Sequence, residues 1–116
     1  MRRPEQALQR TIVEWLHYAL PDDVWFTAVN PSPAKSKAVA GVSKAMGLKP
    51  GVPDLIFCIH GRFVGIELKA GKGKPSDAQD ECHRAINVAG GWTYVATSIE
   101  MLTAHLEAQG VDLKAT

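Results

Sequence analysis

Two acidic residues and one lysine interrupt apolar segments in the middle of the chain. Asp54 opens the run Asp54–Ile59, while Glu67 and Lys69 lie near the end of the run Phe63–Lys69. Side chains alternate along a β-strand, so Glu67 and Lys69 project from one face and the aliphatic residues between them from the other. Carboxylates suit a hard cation such as Mg²⁺ or Mn²⁺, which activates water and polarises a phosphoryl oxygen. The residue types therefore predict metal-dependent phosphodiester hydrolysis, with Lys69 stabilising developing charge.

The turn between the two runs decides how these side chains meet. The pair Gly61–Arg62 suits a two-residue hairpin turn, and with this turn Asp54 lies opposite Lys69. Glu67 then lies opposite Ile56 and diagonal to Asp54, at roughly 7–8 Å between backbones. Any loop of even length keeps the three charged side chains on one face, because directly opposed residues project together. The hairpin therefore predicts two carboxylates that converge on one cation.

Hydrophobic periodicity and turn residues predict the elements that position these side chains. An apolar stripe predicts a helix over residues 4–20, and residues 34–46 are a weaker helix candidate. Ser76 opens a further helix with Gln79 in a capping-box pattern, and Ser98 caps the last helix. Runs of β-branched, aromatic and aliphatic residues predict strands over residues 24–29, 54–59, 63–69 and 92–96. The order α-β-(α)-β-β-α-β-α predicts an α/β fold, with a mixed β-sheet flanked by helices.

Charge is distributed unevenly although the net charge is only +1. The segment from Pro31 to Pro75 holds eight basic and two acidic residues, giving +6, whereas the rest of the chain carries −5. A basic middle within an acidic frame indicates contact with a polyanion, and a set of solvated loop lysines is the alternative. The candidate residues for contact with such a polyanion are Lys35, Lys37, Lys44, Lys49, Lys72 and Lys74.

Length and composition limit the other classes of protein. A chain of 116 residues suits one domain, and no apolar run approaches the roughly 20 residues of a membrane helix. We therefore expect a cytoplasmic protein that contacts no membrane. Cys58 and Cys82 fit no zinc-binding spacing and are predicted to be reduced, buried thiols. The three tryptophans are predicted to lie in the core: Trp15, Trp25 and Trp92.

The motif order resembles a known nuclease family. The sequence Gly51-Val-Pro-Asp54 followed by Ile66-Glu67-Leu68-Lys69 resembles the PD-(D/E)xK nuclease superfamily. With Glu5 and Gln9 on the first helix and Gln79 on the helix after the motif, the wider pattern is similar to the VRR-NUC branch, the virus-type replication-repair nucleases. The resemblance spans about residues 4–97. It implies a restriction-endonuclease-like core and one nuclease domain over residues 1–116, with a flexible basic segment at about 31–50.

The resemblance also implies roles for particular residues. Asp54 and Glu67 correspond to metal ligands, with Glu5 and the main-chain carbonyl of Leu68 as further candidates for binding Mg²⁺ or Mn²⁺. The catalytic set that it implies is Asp54, Glu67, Lys69 and Gln79. No organic cofactor is implied. Short members of this kind imply a homodimer that cuts branched or duplex DNA in replication, recombination or repair, in a bacterial or phage-infected cell. The first helix and the segment at 34–46 are the candidate dimer contacts.

Each of these residues also has a purely structural interpretation. Asp54 suits a turn cap, and Glu67 with Lys69 suits an edge strand that resists aggregation. Glu5 in a first helical turn is favoured by the helix dipole, and Gln79 completes a capping box with Ser76. For the whole chain, the alternatives are a non-catalytic DNA-binding module with a nuclease-like fold and a small structural protein.

Overall fold

Helices and strands follow each other in the predicted order. The computed structural model describes residues 3–29 and 37–114. Within these ranges the elements are α1 (Arg3–Ala19), β1 (Val24–Ala28), α2 (Lys37–Ala45), β2 (Leu55–Ile59), β3 (Arg62–Leu68), α3 (Asp77–Val88), β4 (Trp92–Ala96) and α4 (Ile99–Ala108). The weaker helix candidate is therefore present, as α2. None of the helices in these ranges is long and apolar enough to cross a membrane.

The four strands form one mixed sheet in the order β1-β2-β3-β4. The pairs β1–β2 and β2–β3 are antiparallel, whereas β3 and β4 run parallel. A parallel pair needs a crossover connection, and α3 supplies it between β3 and β4. The predicted mixed sheet with flanking helices is confirmed.

The hairpin between β2 and β3 has a different turn from the one expected. Ile59 pairs with Arg62, so the turn residues are His60 and Gly61 rather than Gly61 and Arg62. Both turn residues have positive φ, 50° for His60 and 84° for Gly61, as a type I′ turn requires. The predicted register was therefore wrong by two residues: Ile56 pairs with Gly65, where Glu67 was expected.

The error in register does not change which side chains share a face of the sheet, because a shift of two residues keeps every side chain on its own side. Continuing the observed register by one residue sets Asp54 opposite Glu67, in place of the expected Lys69. Alternate residues of β3 still face opposite sides of the sheet. Its aliphatic residues belong to the core, and the Glu67 side chain projects from the other face.

The core lies on the face of the sheet that α1 and α4 cover. Its largest fully buried side chains come from both helices and from the two central strands: Ile12, Leu16, Leu55, Phe57, Ile59, Ile66, Leu68, Leu102 and Leu106. On β1, β2 and β3 the alternate residues project from the opposite face. Trp25 is 61% exposed there, in register with the exposed Cys58 and, one strand further, with Phe63.

Several residues predicted to be buried are therefore exposed. Cys58 and Cys82 are free thiols, as expected, but Cys58 is exposed and Cys82 is only half-buried. Trp25 and Trp92 lie at the surface, whereas Trp15 packs partly buried against the core. For Trp25 and Cys58 the predictions failed because a strand can carry apolar residues on both of its faces, and only the position of the helices decides which face is covered.

The turn before β2 is held between α3 and β3. Gly51 has φ +81°, and a Cβ atom there would overlap the carbonyl oxygen of Ala78 and lie 2.7 Å from the amide nitrogen of Gln79. The buried ring of Pro53 lies over Gly65, where a Cβ atom would lie 2.6 Å from the ring Cγ. Two glycines thus let this turn approach both the helix and the strand, which fixes the residue that follows it, Asp54.

We expect Gly51→Ala to destabilise the protein more than a matched change at Gly47. Both glycines have strongly positive φ, so alanine costs about 1–2 kcal/mol at either position. Only Gly51 has backbone atoms within reach of the new Cβ, and this crowding should cost at least about 1 kcal/mol more. Urea denaturation of Gly51→Ala and Gly47→Ala measures the difference. Equal losses of unfolding free energy would contradict the close packing of this turn against α3.

Candidate active site

Asp54 is oriented by the end of the neighbouring strand. Its Oδ2 accepts a hydrogen bond of 2.8 Å from the backbone amide of Leu68. The side chain of Leu68 is buried in the core, so only its main chain reaches this face. Asp54 therefore does bond a backbone amide, as the structural interpretation proposed, but the amide belongs to β3 rather than to its own turn. The carboxyl group is fixed beside Glu67.

Glu67 lies beneath α3 and is almost fully buried, with 1% of its surface exposed. Its Oε2 accepts a hydrogen bond of 2.8 Å from the Gln79 side-chain amide, and the Lys69 Nζ lies 3.8 Å away. Its Oε1 lies 3.7 Å from the Nε2 of His83 and has no hydrogen-bond partner. The edge-strand interpretation does not fit, because β3 is flanked on both sides by other strands.

Lys69 brings a positive charge between two acidic residues. Its side chain is 9% exposed, and its Nζ lies 3.8 Å from Glu5 Oε1 and 3.8 Å from Glu67 Oε2. Lys69 directly follows β3, and its backbone amide bonds the carbonyl of Ala96 on β4. α1 therefore contributes Glu5, from its first turn, to the cluster of charged side chains that Lys69 and Glu67 form, while α3 covers Glu67.

Gln79 completes the predicted capping box and also bonds Glu67. Its side-chain Oε1 accepts from the backbone amide of Ser76 at 2.8 Å, and its backbone amide donates to Ser76 Oγ at 3.2 Å, which completes the capping box. Its Nε2 at the same time donates to Glu67 at 2.8 Å. The start of α3 and the orientation of the Glu67 carboxyl group therefore depend on one side-chain amide.

Burial and the neighbouring carboxyl group raise the pKa of Glu67 to about 8. Loss of solvation is the largest cause and the negative charge of Asp54 the next, while the charge of Lys69 lowers the pKa in part. Without a cation, Glu67 therefore retains its proton at neutral pH. Two carboxyl groups that cannot both ionise are suited to a divalent cation, whose charge would allow both to do so.

The donor set fits a cation that takes few protein ligands. Among residues 3–29 and 37–114, no three or more His, Cys, Asp and Glu side chains are placed to hold a metal ion. Mg²⁺ typically takes one or two carboxylates and completes its shell with water and phosphate oxygens. Asp54 and Glu67 meet that requirement. The wider ligand set with Glu5 and the Leu68 carbonyl stays a prediction.

A cavity adjoins the cluster on the side of α1. Its volume is about 280 Å³, and it is lined by Pro4, Glu5, Ala70 and Gly71. The loop that follows β3 thus forms one wall of the cavity, and this loop carries Lys72 and Lys74. A group bound there would touch Glu5 and lie beside the basic loop.

Only some of the six candidate DNA-binding lysines can be located. Lys44, Lys49, Lys72 and Lys74 are exposed. Lys37 begins α2, but its side chain, like the whole of Lys35, lies outside the described residues. Four of the six lysines are therefore accessible to a polyanion.

His83 is not singled out by the sequence analysis, although the residue lies beside Glu67. It lies on α3 with only 8% of its surface exposed, and burial lowers its pKa, so that its imidazole is neutral at neutral pH. Its neighbours in the sequence form no histidine spacing typical of a metal site. Its spacing from Gln79 is the signal that could have identified it, because residues four apart project from the same helix face.

Comparison with known proteins shows the fold. No family model matches the chain, and no curated protein matches it. A solved structure named "VRR_NUC domain protein" matches over 94% of this chain and 89% of that chain, with a TM-score of 0.73 and 23% sequence identity. The expected fold, a mixed sheet with flanking helices like that of a VRR-NUC domain, is confirmed.

Proposed function

We propose that the chain is a VRR-NUC nuclease that hydrolyses DNA phosphodiester bonds with Mg²⁺ or Mn²⁺. The observation that supports this most is the pair of adjacent carboxyl groups, Asp54 and the buried Glu67, beside the ammonium group of Lys69. Protein interiors rarely hold two such groups, because burying them costs free energy unless a partner offsets it. A fold shared with a VRR_NUC domain protein makes a nuclease site the simplest reason for that cost.

The rival function, DNA binding without catalysis, accounts for fewer of these features. Binding requires basic groups facing the phosphates, and the exposed lysines suffice for it. It gives no reason to hold Glu67 and Asp54 together at the sheet end, where the negative charge of Asp54 would oppose a phosphate and the burial of Glu67 is costly. A non-catalytic protein would keep its DNA affinity, or gain affinity, when these carboxyl groups become amides.

The residues of the chain divide the work of hydrolysis between them. Asp54 and Glu67 would hold the cation, and the cation would supply Lewis acidity and lower the pKa of a water molecule. Leu68 fixes Asp54 through its amide, and Gln79 fixes Glu67. Lys69, held near Glu5 and Glu67, provides positive charge for the phosphate oxygens as negative charge develops on them.

We expect Asp54→Asn, Glu67→Gln and Lys69→Ala each to reduce DNA cleavage at least about 100-fold. The amide changes keep size and hydrogen-bond acceptors, so the proteins should stay folded, and Lys69→Ala should weaken DNA binding only moderately. EDTA should stop the wild-type enzyme. Steady-state cleavage of labelled DNA with Mg²⁺ or Mn²⁺ measures the loss. The matched control is Glu107→Gln, an exposed carboxyl group on α4. Full activity of Glu67→Gln, or of the wild type in EDTA, would rule out this mechanism.

We propose that the basic segment binds phosphates rather than bases. The residues concerned are Lys35, Lys37, Lys44, Lys49, Lys72 and Lys74. The two in the loop after β3 are both exposed and begin three residues beyond Lys69, so a DNA backbone at the site would pass them. Lysine ammonium groups act as point charges on phosphates, without the planar geometry that reads bases.

The double variant Lys72→Ala/Lys74→Ala should reduce the salt dependence of DNA binding. Each lost phosphate contact lowers the slope of log affinity against log salt by about 0.9, giving about 2 units for both. The loss should be equal for unrelated DNA sequences. Lys114→Ala, exposed near the end of the described chain, serves as the matched control with an unchanged slope. A changed cutting sequence in the loop variant would contradict contacts confined to the backbone.

We propose that the enzyme acts as a homodimer on branched or duplex DNA. Specific DNA interfaces bury about 1,000–2,500 Å² of protein, and a two-fold dimer would supply such a surface with two equivalent sites. The α2 region favours such a contact, since it exposes three large apolar side chains: Val42 at 64%, Met46 at 78% and Leu48 at 66%. Exposed apolar clusters of this kind are typical of protein contact surfaces.

Light scattering should therefore give twice the chain mass of 12.6 kDa for the wild type. Met46→Glu should yield monomers, because it introduces a charge in the apolar contact, and should abolish paired cuts in a four-way DNA junction. Val88→Glu, at an apolar residue on α3 that is 84% exposed, is the matched control and should remain dimeric. A wild-type monomer with undiminished paired cutting would contradict the dimer and leave the nuclease proposal intact.

A further inference from the structure

Two buried polar atoms near the sheet end lack hydrogen-bond partners. They are Nε2 of His83 and Oε1 of Glu67, the only two such atoms among the side chains that the structure describes. The atoms lie 3.7 Å apart, just beyond hydrogen-bond distance, and both side chains are 10% exposed or less. A buried polar group without a hydrogen-bond partner destabilises the folded protein. A neutral imidazole can donate from Nε2, and the carboxylate that Glu67 would become beside a bound cation can accept, so each atom is the natural partner of the other.

The position of His83 on α3 makes this pairing specific. His83 follows Gln79 by four residues, so both side chains project from the face of the helix that covers β3. Gln79 already donates to Oε2 of Glu67 at 2.8 Å. His83 is directed at the other oxygen of the same carboxyl group. One helix therefore offers a donor to each oxygen.

We propose that His83 is a positioning residue whose Nε2–H donates to Glu67 Oε1 and fixes the carboxylate for cation binding. The inference rests on the proposed function, since it assigns Glu67 a cation. A donor that hydrogen-bonds to a metal ligand on the side away from the metal sets the orientation and basicity of that ligand. Removing such a donor typically lowers metal affinity about 10- to 100-fold. With Gln79 donating to one oxygen and His83 to the other, the Glu67 carboxylate would be held in one orientation beside Asp54. His83 itself contacts neither the cation nor DNA.

Two substitutions separate the donor from the shape of the side chain. His83→Phe keeps a ring of similar size and removes the donor, whereas His83→Gln keeps an N–H at a similar reach. Isothermal titration calorimetry of the DNA-free proteins with Mn²⁺ measures affinity independently of cleavage. We expect His83→Phe to bind Mn²⁺ about 10- to 100-fold more weakly and His83→Gln to stay within a fewfold of the wild type. His105→Phe on α4, where Nε2 of the native residue bonds the Val95 carbonyl instead, should leave the affinity unchanged.

Kinetics and spectroscopy provide readouts that a merely structural role would not change. Because His83 lies behind Glu67, His83→Phe should raise the Mn²⁺ concentration needed for half-maximal cleavage and leave the KM for DNA unchanged. Long-range ¹H–¹⁵N spectra of the wild type with saturating Mg²⁺ should show the His83 imidazole protonated on Nε2. A resonance typical of the tautomer protonated on Nδ1 would overturn the proposed hydrogen bond.

The remaining outcomes distinguish the proposed role of His83 from the proposed nuclease function on which that role rests. Wild-type affinity in His83→Phe would overturn the role of His83 alone and leave the nuclease proposal standing. Equal loss in His83→Phe and His83→Gln would make His83 a ligand itself, which also overturns the positioning role. No binding of Mn²⁺ by the wild type would overturn the metal-dependent function, and the role of His83 with it.

Discussion

The burial of one carboxyl group constrains the arrangement of the whole sheet end. Glu67 lies at 1% exposure on a central strand, where an unpaired charge is costly. The polar groups that offset this cost come from α3 and from the residue two positions along the chain: the Gln79 amide at 2.8 Å and the Lys69 ammonium group at 3.8 Å. α3 must therefore cross β3 with its first turns over Glu67, which fixes the helix relative to the strand.

The same requirement explains the turn before β2. Asp54 must lie beside Glu67, and the chain reaches that point through a turn packed between α3 and β3. Gly51 allows the turn to approach the helix backbone, and Gly65 accommodates the Pro53 ring on the strand. The motif residues thus serve two purposes: Asp54 presents the carboxyl group that we propose to bind the cation, and the glycine and proline before it allow it to take that position. The arrangement of Asp54 and Glu67 therefore depends on close packing of the backbone as well as on charge.

Strand periodicity was the most informative signal in the sequence. Alternation along β3 predicted which face carries Glu67 and Lys69, and that prediction survives the wrong hairpin turn, because a shift of two residues keeps every side chain on its face. The turn itself was misassigned because His60 adopts φ 50°, a conformation that glycine and asparagine favour more often.

The burial of individual strand residues was decided by tertiary packing. Whether Trp25 or Cys58 is buried depends on where helices lie, and periodicity within a strand carries no such information. His83 was missed because only its relation to Gln79 on a helix face reveals it.

The double use of the Gln79 side chain limits which amino acids position 79 tolerates. Glutamate would accept from the Ser76 amide but would set a third negative group against Glu67. Lysine or arginine would donate to Glu67 but offer no acceptor for the helix start. Asparagine has the right groups on a side chain one methylene shorter, so it cannot span both partners from the same backbone position. Glutamine supplies an acceptor and a donor at this reach on one flexible, uncharged side chain. The requirement for starting the helix and the requirement of the buried acid therefore favour the same residue type at position 79.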